Sequence, residues 1–185
     1  MNRKALFLDR DGVINVNHGY VHKIDDFQFI DGIFDLARLA STENYVICIV
    51  TNQAGIGRGY YSEAEFHHLT DWMCARFRAE GAVISKVYYS PYHPIHGIGK
   101  YKKKHHSRKP EPGMLVQAIN DFSIDPESSI LIGDKATDIQ AGVAAGVGTN
   151  LYIGEADITQ DIAKGHYTSI SSLAEASAFL KIEPI

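Results

Sequence analysis

Cysteine is nearly absent: the 185 residues hold two, Cys48 and Cys74. Cys48 lies in an apolar run and Cys74 in a helical pattern, so both read as small buried hydrophobes rather than a disulfide framework. No apolar run approaches the ~18 residues that a membrane helix needs. Met1 to Leu8 has no long apolar stretch and runs straight into acidic residues, so no signal peptide is read and the cytoplasm is the expected compartment. Strong charge is missing too: 18 Lys+Arg against 22 Asp+Glu leave a net −4, which gives no electrostatic ground for nucleic acid or a membrane surface as partner. Repeats and linker-like composition shifts are likewise missing. What is present is 45% hydrophobic and 22% charged residues. At this length that predicts one domain over residues 1–185, able to bury about 70% of its unfolded surface without staples. One basic stretch runs against the acidic balance, Lys100 to Lys109, with Lys102, Lys103, Lys104, His105 and His106 inside it.

Apolar runs of strand length alternate with helical patterns. Ala5–Leu8, Tyr45–Val50, Ala82–Tyr89, Ser129–Ile132 and Val147–Ile153 are near-continuous apolar runs, as in a parallel sheet covered on both faces. Ile33, Leu36, Ala37 and Ala40 share one helical face. Ser62 and Glu65 fit a capping box ahead of the stripe Phe66, Leu69, Met73 and Phe77. Pro112 suits the first turn of a helix through Ala118 and Ile119. Ala136–Ala145 and Ser172–Lys181 read as the last helices. The expected fold is α/β, a doubly wound parallel sheet with right-handed crossovers. Residues 10–30 and 90–110 are too long for simple turns, and long loops in a compact domain are usually functional.

In such a sheet, ligands bind just beyond the carboxyl ends of the strands. Asp9 and Asp11 follow the first strand, and Thr51 and Asn52 the second. Arg108 and Lys109 precede the fourth helix, and Asp134 and Asp138 follow the fourth strand. Taken singly, each is an ordinary turn, cap or surface residue. Together they place carboxylates, a hydroxyl and a Lys at one sheet edge. Clustered carboxylates repel unless a cation sits among them, and oxygen-only ligands suit Mg²⁺. Mg²⁺ with Lys and hydroxyl or amide donors suits a phosphoryl group. In an extended segment residues i and i+2 point the same way, so Asp9 and Asp11 can divide nucleophilic and acid–base work on one substrate.

The stretch Asp9-Arg10-Asp11-Gly12-Val13-Ile14-Asn15, then Thr51, Lys109 and Gly133-Asp134-Lys135-Ala136-Thr137-Asp138, resembles the four motifs of the haloacid dehalogenase (HAD) superfamily of phosphohydrolases. Asn15 to Val21, Thr51 to Gly59 and Arg108 to Met114 resemble its heptose 1,7-bisphosphate 7-phosphatases, with which histidinol-phosphatases share much of the pattern. The resemblance covers about residues 4 to 153. It implies a HAD/Rossmann-like fold without a large cap, since residues 10–50, between Asp9 and Thr51, already hold a helix and a strand. It implies that Asp9 is the nucleophile and Asp11 the acid and base. Mg²⁺ would be held by the Asp9 and Asp134 side chains and the Asp11 carbonyl, with Asp138 supporting the metal shell or Lys109. The Thr51 hydroxyl, the Asn52 backbone N–H and Lys109 would bind the phosphoryl group. Asn17, His18, Gly19, Tyr20, Gln53, Ala54, Arg108 and Lys135 would surround a small phosphorylated sugar. Arg108 would clamp a second phosphate. A monomer is the usual state of such uncapped enzymes.

Members of this subfamily often carry a structural zinc on three Cys and a His in the loop before Arg108. Here Ser90, Tyr92, His105 and Ser107 stand at those positions, so structural zinc is not expected. The loop is then expected to be mobile or held by packing around Tyr92 and Tyr101. His93, His96, His105 and His106 are read as surface residues. Phosphorylated-receiver domains also combine acids, Thr and Lys on a doubly wound sheet. Their acceptor Asp follows the third strand, however, and no Asp stands there in this chain.

Overall fold

The computed structural model describes residues 3–162 and 165–180. Six strands are built from the apolar runs and one further segment: β1 Ala5–Leu8, β2 Val46–Asn52, β3 Ile84–Ser90, β4 Ile130–Gly133, β5 Thr149–Tyr152 and β6 Thr168–Ser169. They form one parallel sheet in the order β3-β2-β1-β4-β5-β6. The helices are α1 Ile33–Thr42, the short α2 Ala54–Gly57, α3 Glu63–Ala79, α4 Gly113–Phe122, α5 Ala136–Ala144 and α6 Leu173–Leu180.

Alternation along each strand sends neighbouring side chains to opposite faces. Leu6, Leu8, Ile47 and Ile49 pack under α1, α3 and α6 with Leu36, Met73, Phe77 and Leu173. Ala5, Phe7, Cys48 and Val50 pack under α4 and α5 with Met114, Leu115 and Ile139. Each fully buried Leu, Ile or Phe contributes roughly 1.5–3 kcal/mol of transfer free energy. The Ser62–Glu65 capping box is present: Ser62 Oγ accepts from Glu65 N at 3.1 Å, and Glu65 accepts from Ser62 N at 2.8 Å.

Several boundaries differ from the sequence reading. β2 continues through Thr51 and Asn52, which pair with Tyr89 and Ser90 of β3, so the polar pair lies inside the sheet edge. Pro112 caps α4 rather than entering its first turn. β6 is two exposed residues with no apolar run to announce it. Cys48 is buried, but Cys74 is only half-buried. The sequence reading extends the last helix to Lys181, which lies outside the described residues. Among the described residues, no helix is long and apolar enough to cross a membrane.

Connections from β1 run outward to β2 and β3, and those from β4 run the other way to β5 and β6. The loops after β1 and β4 therefore diverge and open a crevice between them. Asp9 leaves β1 and Asp134 leaves β4 at that point. The two long loops each fold a short 3₁₀ turn, Ile24–Asp26 and Gly99–Tyr101.

Candidate active site

At the crevice floor Lys109 is buried with three acceptors around its ammonium. Nζ lies 2.9 Å from Asp9 Oδ1 and 2.6 Å from Asp138 Oδ1, and donates to the Val50 carbonyl at 2.7 Å. Three protons meet three oxygens, so the charge is satisfied although it is hidden from water. Burial alone would lower the Lys109 pKa, but Asp138 and Asp9 outweigh it and hold it above its usual value. Burial also raises Asp9; Lys109 opposes that rise and Asp138 adds to it.

Asp9, Asp134 and Asp138 each bring a carboxylate oxygen within 4.8 Å of the others. The Asp138 oxygens are taken: Oδ1 by Lys109, and Oδ2 by the Lys135 N–H at 2.9 Å. Asp138 thus anchors Lys109 and the start of α5. Asp134 Oδ1 is buried without a hydrogen bond, with Lys135 Nζ 3.7 Å away. Burial, then the neighbouring Asp9 charge, pushes Asp134 up to about 7. A buried carboxylate oxygen with no donor, beside a second carboxylate, is a donor set for a hard divalent cation such as Mg²⁺. Two glycines make room for it. Gly12 has φ +94°, and a Cβ there would stand 2.1 Å from Asp134 Oδ2. A Cβ on Gly133 would stand 2.2 Å from Asp138 Cβ.

Asp11 is held separately. Its Oδ1 accepts from Arg10 and Asn15 Nδ2 at 3.0 Å each, and its Oδ2 from Arg10 at 3.0 Å and Gln53 Nε2 at 3.1 Å. Arg10 is 1% exposed and also donates to the Val21 carbonyl at 2.6 Å. Gln53 Nε2 reaches Thr51 Oγ1 at 2.9 Å as well, and Tyr61 donates to Gln53 Oε1. Thr51 therefore accepts from Gln53 and keeps its own O–H to donate. The Asn52 side chain is spent on Lys109: its Nδ2 donates to the Lys109 carbonyl and its Oδ1 accepts from the Lys109 N–H, both at 3.0 Å.

A cavity of about 400 Å³ opens over Asp11. Of the sequence-predicted residues, Asn17, Gly19, Tyr20, Asn52, Gln53, Ala54, Arg108, Lys109 and Lys135 line it. His18 does not: it lines an adjacent groove with His22 and Asp25. Thr51 is buried, 1% exposed. The Gln53 amide is committed to Asp11 and Thr51, so it positions those groups. Arg58, His93, Tyr61 and Thr137 also line the cavity and were missed. Arg58 sits in the quoted Thr51–Gly59 stretch, so its charge was a usable signal. Arg10, Asn15 and Tyr61 gave none, because their roles arise from the cage they form. A larger open groove of about 720 Å³, at the amino-terminal edge beside Arg3, Lys4 and Tyr45, is remote from this chemistry.

Loop 90–107 is held by packing. The Tyr92 and His105 rings stack at 4.0 Å, His105 Nδ1 meets Ser107 Oγ at 2.7 Å, and Ser107 Oγ donates to Ser90 Oγ at 3.0 Å. Tyr101 donates to Glu63 at 2.7 Å, and Ile98 N to the Gly57 carbonyl at 2.8 Å.

The HAD-hydrolase-like family model matches residues 106–176. Over 160 residues the chain is 56% identical to D-glycero-alpha-D-manno-heptose-1,7-bisphosphate 7-phosphatase of Burkholderia mallei, covering 86% of this chain and 85% of that one. The chain belongs to the HAD-like phosphatases. It is 48% identical over 153 residues to D-glycero-beta-D-manno-heptose-1,7-bisphosphate 7-phosphatase of Vibrio cholerae, covering 83% and 82% of the two chains. Its fold matches that of D,D-heptose 1,7-bisphosphate phosphatase from B. bronchiseptica complexed with magnesium and phosphate, with a TM-score of 0.83 at 24% identity over 96% of this chain and 97% of that one. Like these HAD-like phosphatases, the chain is a phosphoric monoester hydrolase.

Proposed function

We propose that this phosphatase removes the C7 phosphate of D-glycero-D-manno-heptose 1,7-bisphosphate, with Asp9 as nucleophile and Asp11 as acid and base. One observation carries the mechanism: the two carboxylates are held in different ways. Asp9 is paired with a buried Lys109, whereas Asp11 rests in a cage of neutral amides and Arg10 at the cavity floor. Groups so divided suit two jobs. Asp9 attacks phosphorus, the bond from phosphorus to the C7 oxygen breaks, and Asp11 gives that oxygen a proton. The sugar leaves with its 1-phosphate. Water then attacks the aspartyl-phosphate, Asp11 takes its proton, the bond from Asp9 to phosphorus breaks, and inorganic phosphate is released. Lys109 and the Thr51 hydroxyl bear the phosphoryl charge. Asp9, Asp134 and the Asp11 carbonyl would hold Mg²⁺, whose charge offsets the repulsion between carboxylate and phosphate.

The substrate rests on the relatives' names, which divide between the α and β anomers. It would be a small soluble anion met in the cytoplasm, in the synthesis of activated heptose for lipopolysaccharide or other surface polysaccharides. No nucleic acid, membrane or second subunit enters the scheme, and one domain over residues 1–185 suffices. The test is kcat/KM on both heptose 1,7-bisphosphate anomers, histidinol phosphate and fructose 1,6-bisphosphate. One heptose anomer is expected to lead. A histidinol phosphate lead of more than roughly tenfold, about 1.4 kcal/mol, would overturn the substrate.

A further inference from the structure

The outer part of the cavity carries more positive charge than phosphoryl transfer at Asp9 requires. Arg58 follows α2 and Arg108 precedes Lys109, and both line the cavity together with His93. Among the described residues, no carboxylate pairs with either guanidinium. Arg108 is tied only to the Tyr92 carbonyl, at 3.1 Å. Arg58 Cζ lies over the Tyr20 ring, 5.7 Å from its centre, and Arg58 Nε is buried without a partner. Tyr20 is in turn braced edge-on by Tyr60, at 4.7 Å between ring centres. The fork of Arg58 is therefore placed before any ligand arrives, which lowers the ordering cost of binding.

His93 adds a neutral donor. Its Nδ1 accepts from the Ile95 and His96 N–H groups at 3.2 and 3.0 Å, so the neutral ring carries its proton on Nε2. Desolvation, with Arg108 and Arg58 nearby, lowers His93 and keeps it in that form. Burial and then Arg58 lower Arg108. Two uncompensated like charges and an N–H donor facing one space are unfavourable until an anion enters, and Arg binds phosphate through paired N–H groups. Asp11 and Lys109 line the same cavity, and Lys109 is 3% exposed, so the phosphoryl end lies deeper than the two guanidinium groups. A ligand filling it would thus carry one phosphoryl group at the inner end and a second anionic group at the outer end.

We propose that Arg58, acting with Arg108 and His93, binds the second phosphate of a bisphosphorylated sugar and is the residue that makes the enzyme prefer a bisphosphate to the corresponding monophosphate. In naming that sugar the proposal rests on the heptose 1,7-bisphosphate reading above. The test measures kcat/KM for wild type, Arg58→Met and Arg58→Lys on two pairs: heptose 1,7-bisphosphate against heptose 7-phosphate, and fructose 1,6-bisphosphate against fructose 6-phosphate. Each ratio is taken within one variant, so loss of folded protein cancels. Arg58→Met is expected to cut the bisphosphate preference at least about tenfold, mainly through KM, while Arg58→Lys keeps a clear part of it. If wild type turns over the heptose bisphosphate and Arg58→Met keeps the full preference, the proposal falls and the substrate reading stands. If the heptose pair is not turned over but the fructose preference is lost in Arg58→Met, the proposal stands and the heptose reading falls. A wild type that prefers the bisphosphate in neither pair defeats both.

Discussion

Asn52 and Lys109 hold each other by a reciprocal pair of 3.0 Å hydrogen bonds between one side chain and one peptide unit. The pair ties the end of β2 to the residue whose ammonium meets Asp9. Asn52→Ala removes both bonds. We expect a stability loss of about 1–3 kcal/mol from two hydrogen bonds. We also expect a fall in kcat of about 10- to 100-fold, the scale of a small misplacement of a catalytic group. Urea unfolding and steady-state kinetics on the same preparation check this; unchanged kcat would show that Lys109 is positioned by its ion pairs alone.

Asp9 and Asp11 should fail differently. Asp9→Asn replaces the nucleophilic carboxylate by a neutral amide and leaves Lys109 its Asp138 partner, so the protein is expected to fold and turnover to fall by about 10⁴-fold or more. Asp11→Asn keeps the nucleophile and loses the proton carrier, for a loss of about 10²–10⁴-fold. Rapid-quench detection of protein-bound phosphate separates the two: none forms in Asp9→Asn, and slow formation and decay are expected in Asp11→Asn. Full activity in Asp11→Asn would remove it from the chemistry.

Gly12→Ala tests the close approach of the β1 loop to Asp134. The new Cβ meets Asp134 Oδ2 at 2.1 Å from a backbone at φ +94°. Left-handed strain and overpacking predict a loss of about 1–3 kcal/mol each. The displaced carboxylate should also weaken divalent-cation binding, as read by calorimetric titration with Mg²⁺. A variant with wild-type urea midpoint and Mg²⁺ affinity contradicts this account.

The α3 cap predicts an acid-range effect. Hydrogen bonds from the Ser62 backbone and then its hydroxyl hold the Glu65 carboxyl below its usual value. A carboxyl lowered in the folded state contributes stability above its unfolded pKa, about 4.3, and loses it as pH falls through the lower folded value. Glu65→Ala should therefore lower the thermal midpoint at pH 7, with the gap to wild type shrinking below about pH 4. A gap that stays constant down to about pH 3 would mean that the cap acts through packing rather than charge.

The sheet was legible because five of its strands overlap apolar runs, although β3, at the sheet edge, is only partly covered. β6, Thr168–Ser169, was not, since two exposed polar residues leave no pattern. Asp9 and Asp134 stood out together as polar residues at strand ends, and Lys109, singly an ordinary surface charge, only through the resemblance of the combined motifs. The cage around Asp11 was not legible. Nothing in the motif marks Arg10 as buried, yet it is 1% exposed, because Asp11 and the Val21 carbonyl accept from its Nη2. His18 shows the opposite case. It lies within the motif stretch, but the backbone turns at Gly19 and Tyr20, both at positive φ, and leaves the ring on the neighbouring groove.

The loop that brings His93 to the cavity wall is fastened by a ring stack and hydroxyls, Tyr92 on His105 and Ser107 on Ser90. The two thiols of the chain lie elsewhere: burial pushes Cys48 up to about 12 and also raises Cys74, so neither is a ready thiolate. Peroxide, which dismantles metal–thiolate clasps, finds no thiol in this one. The loop's hold on the cavity wall is therefore expected to be insensitive to oxidant and chelator alike.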